Sequence, residues 1–327
     1  MLTHRICSFA AIAAAALVTM LFATAAVAQT YPSKPIRIIV PFPPGGPTDM
    51  VARAVGQKLQ ERWGQPVIVE NRPGGSTIIG VDRVGKSPPD GDTLLLGSNS
   101  LALNRYLIAK VPYDIDRDIA PVILVAKISN ALVVHPSVPV HDLQQFIAYA
   151  KANPGKLTYG STGLGTATHL FAELFSNMAG VQMLHIPYKG TGPAVVDLIS
   201  GQINLMFDSL STVIANAKAG KIRVIGLTNS KRSASAPEMP TLHEQGLAGY
   251  EATGWFGIAA PAKVPADIID RLNREIDTII RQPDMAARLV QIGSDVVGGS
   301  PDEFRGFIQS EALKWGKVIR DANIKPE

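Results

Sequence analysis

Two glycine-rich loops carry the residues best suited to hold an anion. The first, Pro41-Phe42-Pro43-Pro44-Gly45-Gly46-Pro47-Thr48-Asp49, directly follows a short apolar run, Ile36 to Pro41. Its prolines stiffen the chain and its glycines let a ligand approach the backbone. It opens onto a helix whose first N–H groups and dipole favour negative charge. A plain stiff turn, with Thr48 or Asp49 capping the helix, explains these residues equally well, and Asp49 suits a cap better than a ligand contact. The second loop, Tyr159-Gly160-Ser161-Thr162-Gly163-Leu164-Gly165-Thr166-Ala167-Thr168-His169, is again strand, loop, helix. It offers hydroxyls at Ser161, Thr162 and Thr166, and N–H groups exposed around Gly163 and Gly165.

Gly163-Leu164-Gly165 begins like a dinucleotide fingerprint, but Thr168 stands where the third glycine belongs. No ribose-binding acid follows at Ile186-Pro187-Tyr188, so an anion cradle fits better than a cofactor site, and no cofactor is expected. His169 suits a capping or part-buried histidine better than a ligand. Ser98 and Asn99, in Gly97-Ser98-Asn99-Ser100, follow a third strand and could reach the same cleft. Tyr188 and Lys189 follow another strand, and Lys189 is either a solvated charge or a carboxylate partner. Asp208, at a strand end, either caps the next helix or meets a donor on a ligand.

Enzymatic constellations are mostly missing. Tyr159 occupies the place of the first glycine of a G-x-S-x-G elbow around Ser161, and the sequence has no P-loop. His135, His141, His169, His185 and His243 show no zinc-type pairing, and no metal is expected. The competing enzymatic reading is a secreted hydrolase acting on a carboxylate ester, with Ser161 and His169 as its best candidates. A receptor that signals to a membrane kinase is a third.

These loops must be positioned by alternating strands and helices. Apolar runs at Ile36 to Pro41, Pro66 to Glu70 and Thr93 to Leu96 read as short strands, and Asp49 to Trp63 has helical apolar spacing. The pattern restarts with a helix at His141 to Lys151, and then strands at Leu157 to Gly160, Met183 to Ile186, Ile203 to Phe207 and Ile222 to Leu227. Helices separate these strands. This predicts an α/β fold in which each lobe is a mostly parallel sheet flanked by helices. Val122 to Val134 is a long β-prone segment whose middle carries Lys127, Ser129 and Asn130, which suits a strand leaving one core for another. Trp255 to Ala260 reads as the return crossing, and the chain closes with helices at Pro265 to Arg281 and Asp302 to Arg320. The expected division is one lobe from residues 29–128 plus 252–327 and a second from 129–251, a hinged clamshell.

The compartment is read from the first residues. His4 and Arg5 precede an uncharged run from Phe9 to Val27 that closes on Ala26-Val27-Ala28, as a signal peptide does, with cleavage expected between Ala28 and Gln29. A retained anchor is the competing reading, and the alanine-rich run and Ala-x-Ala end favour cleavage. The single cysteine, Cys7, lies inside this segment, so the mature chain of 299 residues has neither disulfide nor thiolate ligand. No later segment has the uncharged length of a membrane span, and a soluble periplasmic protein is expected. The mature charge is +3, from 30 basic and 27 acidic residues, scattered without aromatic interleaving. That argues against nucleic acid as a partner.

Four stretches, in order, resemble the Bug receptors, the solute-binding proteins of tripartite tricarboxylate transporters. They are YPSKPIRIIVPFPPGGPTDMVAR (31–53), VENRPGGS (69–76), YGSTGLGTATHL (159–170) and HIPYKGTGPAVVDLISGQINLMFD (185–208). The resemblance covers essentially the whole mature chain. Here the family's habitual NRPGAGG is altered, reading Asn71-Arg72-Pro73-Gly74-Gly75-Ser76. The resemblance implies a two-lobed Venus-flytrap of the type II periplasmic-binding class, and a monomer that delivers a small carboxylate ligand to membrane permease subunits. It also implies that the proximal carboxylate lies between Phe42 to Gly46 and Ser161 to Thr166, held by backbone amides, hydroxyls and waters.

Overall fold

The computed structural model describes residues 31–326. The expected signal peptide and cleavage site lie outside the described residues. Along the chain come β1 (Ile36–Val40), α1 (Pro47–Trp63), β2 (Val67–Asn71), α2 (Ile78–Gly85), β3 (Thr93–Gly97), α3 (Ser100–Leu107), α4 (Ile115–Asp118) and β4 (Ile119–Ile128). Next are β5 (Asn130–Val134), α5 (Leu143–Ala152), β6 (Thr158–Ser161), α6 (Ala167–Ala179), β7 (Leu184–Pro187), α7 (Thr191–Ile199), β8 (Leu205–Ser209), α8 (Leu210–Lys218) and β9 (Arg223–Leu227). The chain then runs through β10 (Gly254–Pro261), α9 (Ala266–Ile280), α10 (Pro283–Gln291), β11 (Ser294–Val296) and α11 (Pro301–Asp321).

The strands form two sheets, ordered β11-β4-β10-β3-β1-β2 and β7-β6-β8-β5-β9. Both are mixed, which corrects the expectation of mostly parallel sheets. Four of the nine pairings are parallel, all through β1 or β6, and five are antiparallel, all through β4, β5 or β10. The physical reason is the crossing between sheets. A chain that leaves one sheet and later returns must run against the direction set by the β-α-β units. β4 stops at Ile128 and β5 begins at Asn130, so the break falls within the polar Lys127 to Asn130. The return crossing lies just before the segment read for it. Thr228 N donates to Asn130 O at 2.8 Å and its Oγ1 to Ala252 O at 2.6 Å, pinning both crossings side by side, and Trp255 to Ala260 lies wholly within β10.

Both faces of each sheet are covered, so strand residues alternate between two cores. Ile36, Ile38 and Val40 pack with Val55 and Leu59 of α1, and Ile39 packs on the opposite side with Trp255 and Phe304. In the second sheet Leu205 and Phe207 face α6, while Met206 faces α7 and α8. Helices α3 and α10 and strand β11 have no counterpart in the sequence pattern; eight residues of α3 are too few to display a helical period. Helix α11 begins with a capping box, Ser300 with Glu303. Its Phe304, Ile308 and Ala312 pack in a core of the first sheet, and its Trp315, Val318 and Ile319 in a core of the second. No helix among the described residues is long and apolar enough to cross a membrane.

Candidate functional site

A cavity of about 320 Å³ lies where the two sheets face each other. Phe42 follows β1, Ser76 and Thr77 follow β2, Ser98 to Ser100 follow β3, and Leu164 to Ala167 follow β6. All four loops leave the carboxyl ends of strands in the parallel parts of the sheets, where open α/β folds bind ligands. Leu103, Asn104, Leu107 and Ile108 of α3 and its end add a largely apolar wall, and Ile324 and Lys325 complete the lining.

Three helices start at this wall. The N-caps of α2, α3 and α6 are Thr77, Asn99 and Thr166, all lining the cavity, and none of their side chains caps its own helix. Asn99 is occupied elsewhere: its amide donates to Thr253 O and its carbonyl accepts from Trp255 N, both at 3.1 Å. Thr166 Oγ1 donates to Gly163 O at 2.7 Å. Side chains cap none of the three helix starts; Ile78 N of α2 and Leu101 N and Ala102 N of α3 donate to Gly75 O, Ser98 O and Asn99 O, and the convergence of the three helix dipoles favours a bound anion. Ser76 and Thr77 adopt left-handed φ of 52° and 79°, costly for residues with a Cβ. Asn104 Nδ2 reaches Ser76 O at 2.9 Å and Thr77 Oγ1 at 3.3 Å, holding this turn in place. The NRPGAGG departure falls on this strained pair, which brings two hydroxyls into the lining.

The fold brings Phe42, Ser98, Asn99, Leu164, Gly165 and Thr166 together at the cavity. The other expected residues lie outside its lining. Pro43, Pro44 and Gly45 are exposed, Gly46 is half-buried, and Thr48 is buried at the start of α1. Buried Asp49 is an internal anchor: Oδ2 accepts from Gly45 N at 3.0 Å and from Arg53 Nε at 2.9 Å, and Oδ1 from Asn71 Nδ2 at 2.9 Å. Burial opposes its ionisation, but Arg53, Gly45 and Asn71 together hold its carboxyl below the ordinary value. Thr162 bonds to Thr168 through both its N–H and its hydroxyl. Tyr188 donates to Asp197, and Lys189 is exposed. Asp208 is buried with Oδ2 unpartnered; burial pushes its carboxyl up to about 6, against the pull of the Ser209 N–H. Sequence reading misses Ser76, Thr77, Asn104 and the apolar wall of α3; the Gly-rich turn before Ser76 is the one local signal.

Ser161, His169 and His185 form a support behind the second loop. The imidazoles stack with centroids 3.9 Å apart, and Tyr159 stacks on His185 at 4.8 Å. Gly165 N donates to His169 Nδ1 at 3.0 Å, so that nitrogen is unprotonated and the ring is neutral. Ser161 Oγ lies 2.7 Å from His185 Nε2 and 3.0 Å from Gly163 O. Ser161 Oγ also accepts from Gly163 N at 3.2 Å, and the imidazole tautomer of His185 decides which of the two side chains donates to the other. Ser161 has no exposed surface. The serine thus meets His185, not the His169 of the hydrolase reading. No cluster of three His, Cys, Asp or Glu among the described residues is arranged to hold a metal.

This support predicts an acid-sensitive fold. Burial pushes His169 down to about 4, and burial with the adjoining His169 does the same to His185. Between the ordinary imidazole value of about 6.5 and 4 the unfolded chain binds more protons, so stability falls as pH drops through that window. Asp208, raised to about 6, acts oppositely over part of the range. With His185 discounted for partial exposure, the net loss is on the order of 2 kcal/mol between neutral pH and about pH 4.5. Urea midpoints across that range measure it. A His169→Gln/His185→Gln variant, weaker at neutral pH, is expected to lose most of the slope.

Residues 51–324 match the family described as tripartite tricarboxylate transporter family receptor. Protein BugT of Bordetella pertussis is 38% identical over 317 residues, covering 95% of this chain and 97% of that protein. Among solved structures, the chain is similar to Rpa4515 of R. palustris with adipate. The TM-score is 0.76 at 36% identity, covering 91% of this chain and 100% of that one. It is also similar to the periplasmic binding protein BugD, with TM-score 0.71 and 29% identity over 91% of this chain and 100% of the other.

Proposed function

The chain belongs to the tripartite tricarboxylate transporter receptor family, and we propose that it captures a small organic carboxylate in the periplasm and delivers it to a tripartite membrane permease. The observation that carries the ligand class is the convergence of three helix starts, none capped by a side chain, on one cavity whose remaining wall is largely apolar. A carboxylate head would take N–H groups and the hydroxyls of Ser76, Thr77 and Ser98, while an aliphatic portion would lie against Leu103, Leu107 and Leu164. Ordered waters would extend the reach of these groups at little cost. The adipate held by the similar Rpa4515 supports this class.

In this reading the leader is cleaved after Ala28. The lobes, 29–128 plus 252–327 and 129–251, hinge at the paired crossings near Ser129 and Ala252. A ligand that touches loops of both lobes favours the closed form by its greater affinity for it. The protein binds its carboxylate without turning it over, a reading supported by Ser161 being fully buried and outside the cavity lining. Calorimetry on the refolded, ligand-stripped mature chain tests the proposal. One equivalent of a carboxylate such as adipate should bind, raise the melting temperature as its concentration rises, and be recovered unchanged. Consumption of the ligand that stops in a Ser161→Ala variant would overturn the receptor reading in favour of the hydrolase.

A further inference from the structure

The segment after α11 is built into the cavity wall. Asn323 takes a left-handed φ of 52°, a conformation suited to ending a helix. Ile324 N then donates to Ile319 O at 3.0 Å, and the Ile324 side chain packs against the second core. This anchoring sets the next residue, Lys325, against the cavity. Lys325 is the one charged residue among those lining it; every other is apolar or an uncharged hydroxyl, amide or glycine. The helix starts hold a first anionic group without any cationic side chain, so a lysine there is surplus to a monocarboxylate.

We infer that Lys325 makes the site selective for ligands with a second anionic group: its ammonium pairs with a distal carboxylate whose aliphatic spacer lies along Leu107, Leu164 and Ile324. This rests on the carboxylate reading of the cavity. The flexible stem of lysine lets one charge serve spacers of different length. Lys325 is exposed, which makes the pairing modest and salt-dependent.

Adipate and hexanoate test it, since they share six carbons and differ in one carboxylate. Lys325→Met in the mature chain is expected to weaken adipate binding by about fivefold and to change hexanoate binding by less than about twofold. Lys325→Arg should restore adipate binding. The wild type should lose adipate affinity with rising salt more steeply than Lys325→Met does. Unchanged adipate affinity in Lys325→Met, or equal loss for both ligands, overturns the inference and leaves the carboxylate site standing. If the wild type binds hexanoate but no dicarboxylate, the inference fails alone. Failure of both ligands with the wild type removes the carboxylate reading and the inference with it.

Discussion

Replacing Gly165 with valine is expected to reduce carboxylate affinity by about a hundredfold, roughly 2.7 kcal/mol. Gly165 lines the cavity at φ +70°, a conformation that a β-branched residue adopts only at high cost. An added Cβ would lie 3.2 Å from Leu107 Cδ2, on the other lobe. The same residue donates its N–H to His169, so any shift of the loop breaks that bond and unseats Thr166 and the start of α6. Gly155→Val is the matched control. Gly155 has φ +68°, an added Cβ there would meet nothing within 4 Å, and the residue lies outside the cavity lining. It therefore carries the backbone cost without the effect on the site. Calorimetry and melting curves on the two variants separate strain from site. Wild-type affinity in Gly165→Val would remove this loop from the ligand site.

The largest stability effect is expected at Trp315. Its ring is 1% exposed and packs 5.5 Å from the Phe171 ring, while its Nε1 donates to buried Glu311 at 2.8 Å. Lys314 covers one side of the ring at 4.6 Å and pairs with Glu311. Trp315→Ala deletes the largest side chain joining α11 to the second lobe and takes a hydrogen bond from a buried carboxylate. The cost is about 3–5 kcal/mol, a large part of a typical domain's stability. Trp315→Phe should recover much of the packing but not the hydrogen bond. Urea denaturation reads both, and a loss below about 1 kcal/mol for alanine would show that the helix end is not held as the packing implies.

The two strand-loop-helix turns are legible in the sequence because their signals are local: apolar run, glycines, then helical spacing within about a dozen residues. What the loops do with individual atoms is not. Ser161 has the character of a ligand hydroxyl, but its oxygen is committed to His185, twenty-four residues away. Apolar Leu164, three residues on, lines the cavity while Ser161 does not. Asp49 has the type and place of a helix cap, and its actual partners include Asn71 on β2, set by a strand pairing that no spacing reveals. Helix α3 escapes because its eight residues are divided between two cores, Leu101 and Ala102 in one of the first sheet and Leu103 in one of the second, so they follow tertiary contacts and not one amphipathic face. The mixed character of the sheets is hidden for the same reason. Strand direction depends on where the chain goes next, and an apolar run reads alike both ways.

The placement of Trp315, Val318 and Ile319 in the second core has a consequence for synthesis. The strands of that lobe are continuous in sequence, from Asn130 to Leu227, and would be complete when about two thirds of the chain has been made. Its core is not, because three of its buried apolar side chains arrive only with α11. The first sheet likewise waits for β10 and β11. Domains generally fold as they emerge, but neither half of this chain can reach its full stability before residues near 320 are made. For a protein proposed to leave the cytoplasm behind a cleavable leader, that delay keeps the nascent chain loosely folded, the state in which it can still be threaded across a membrane.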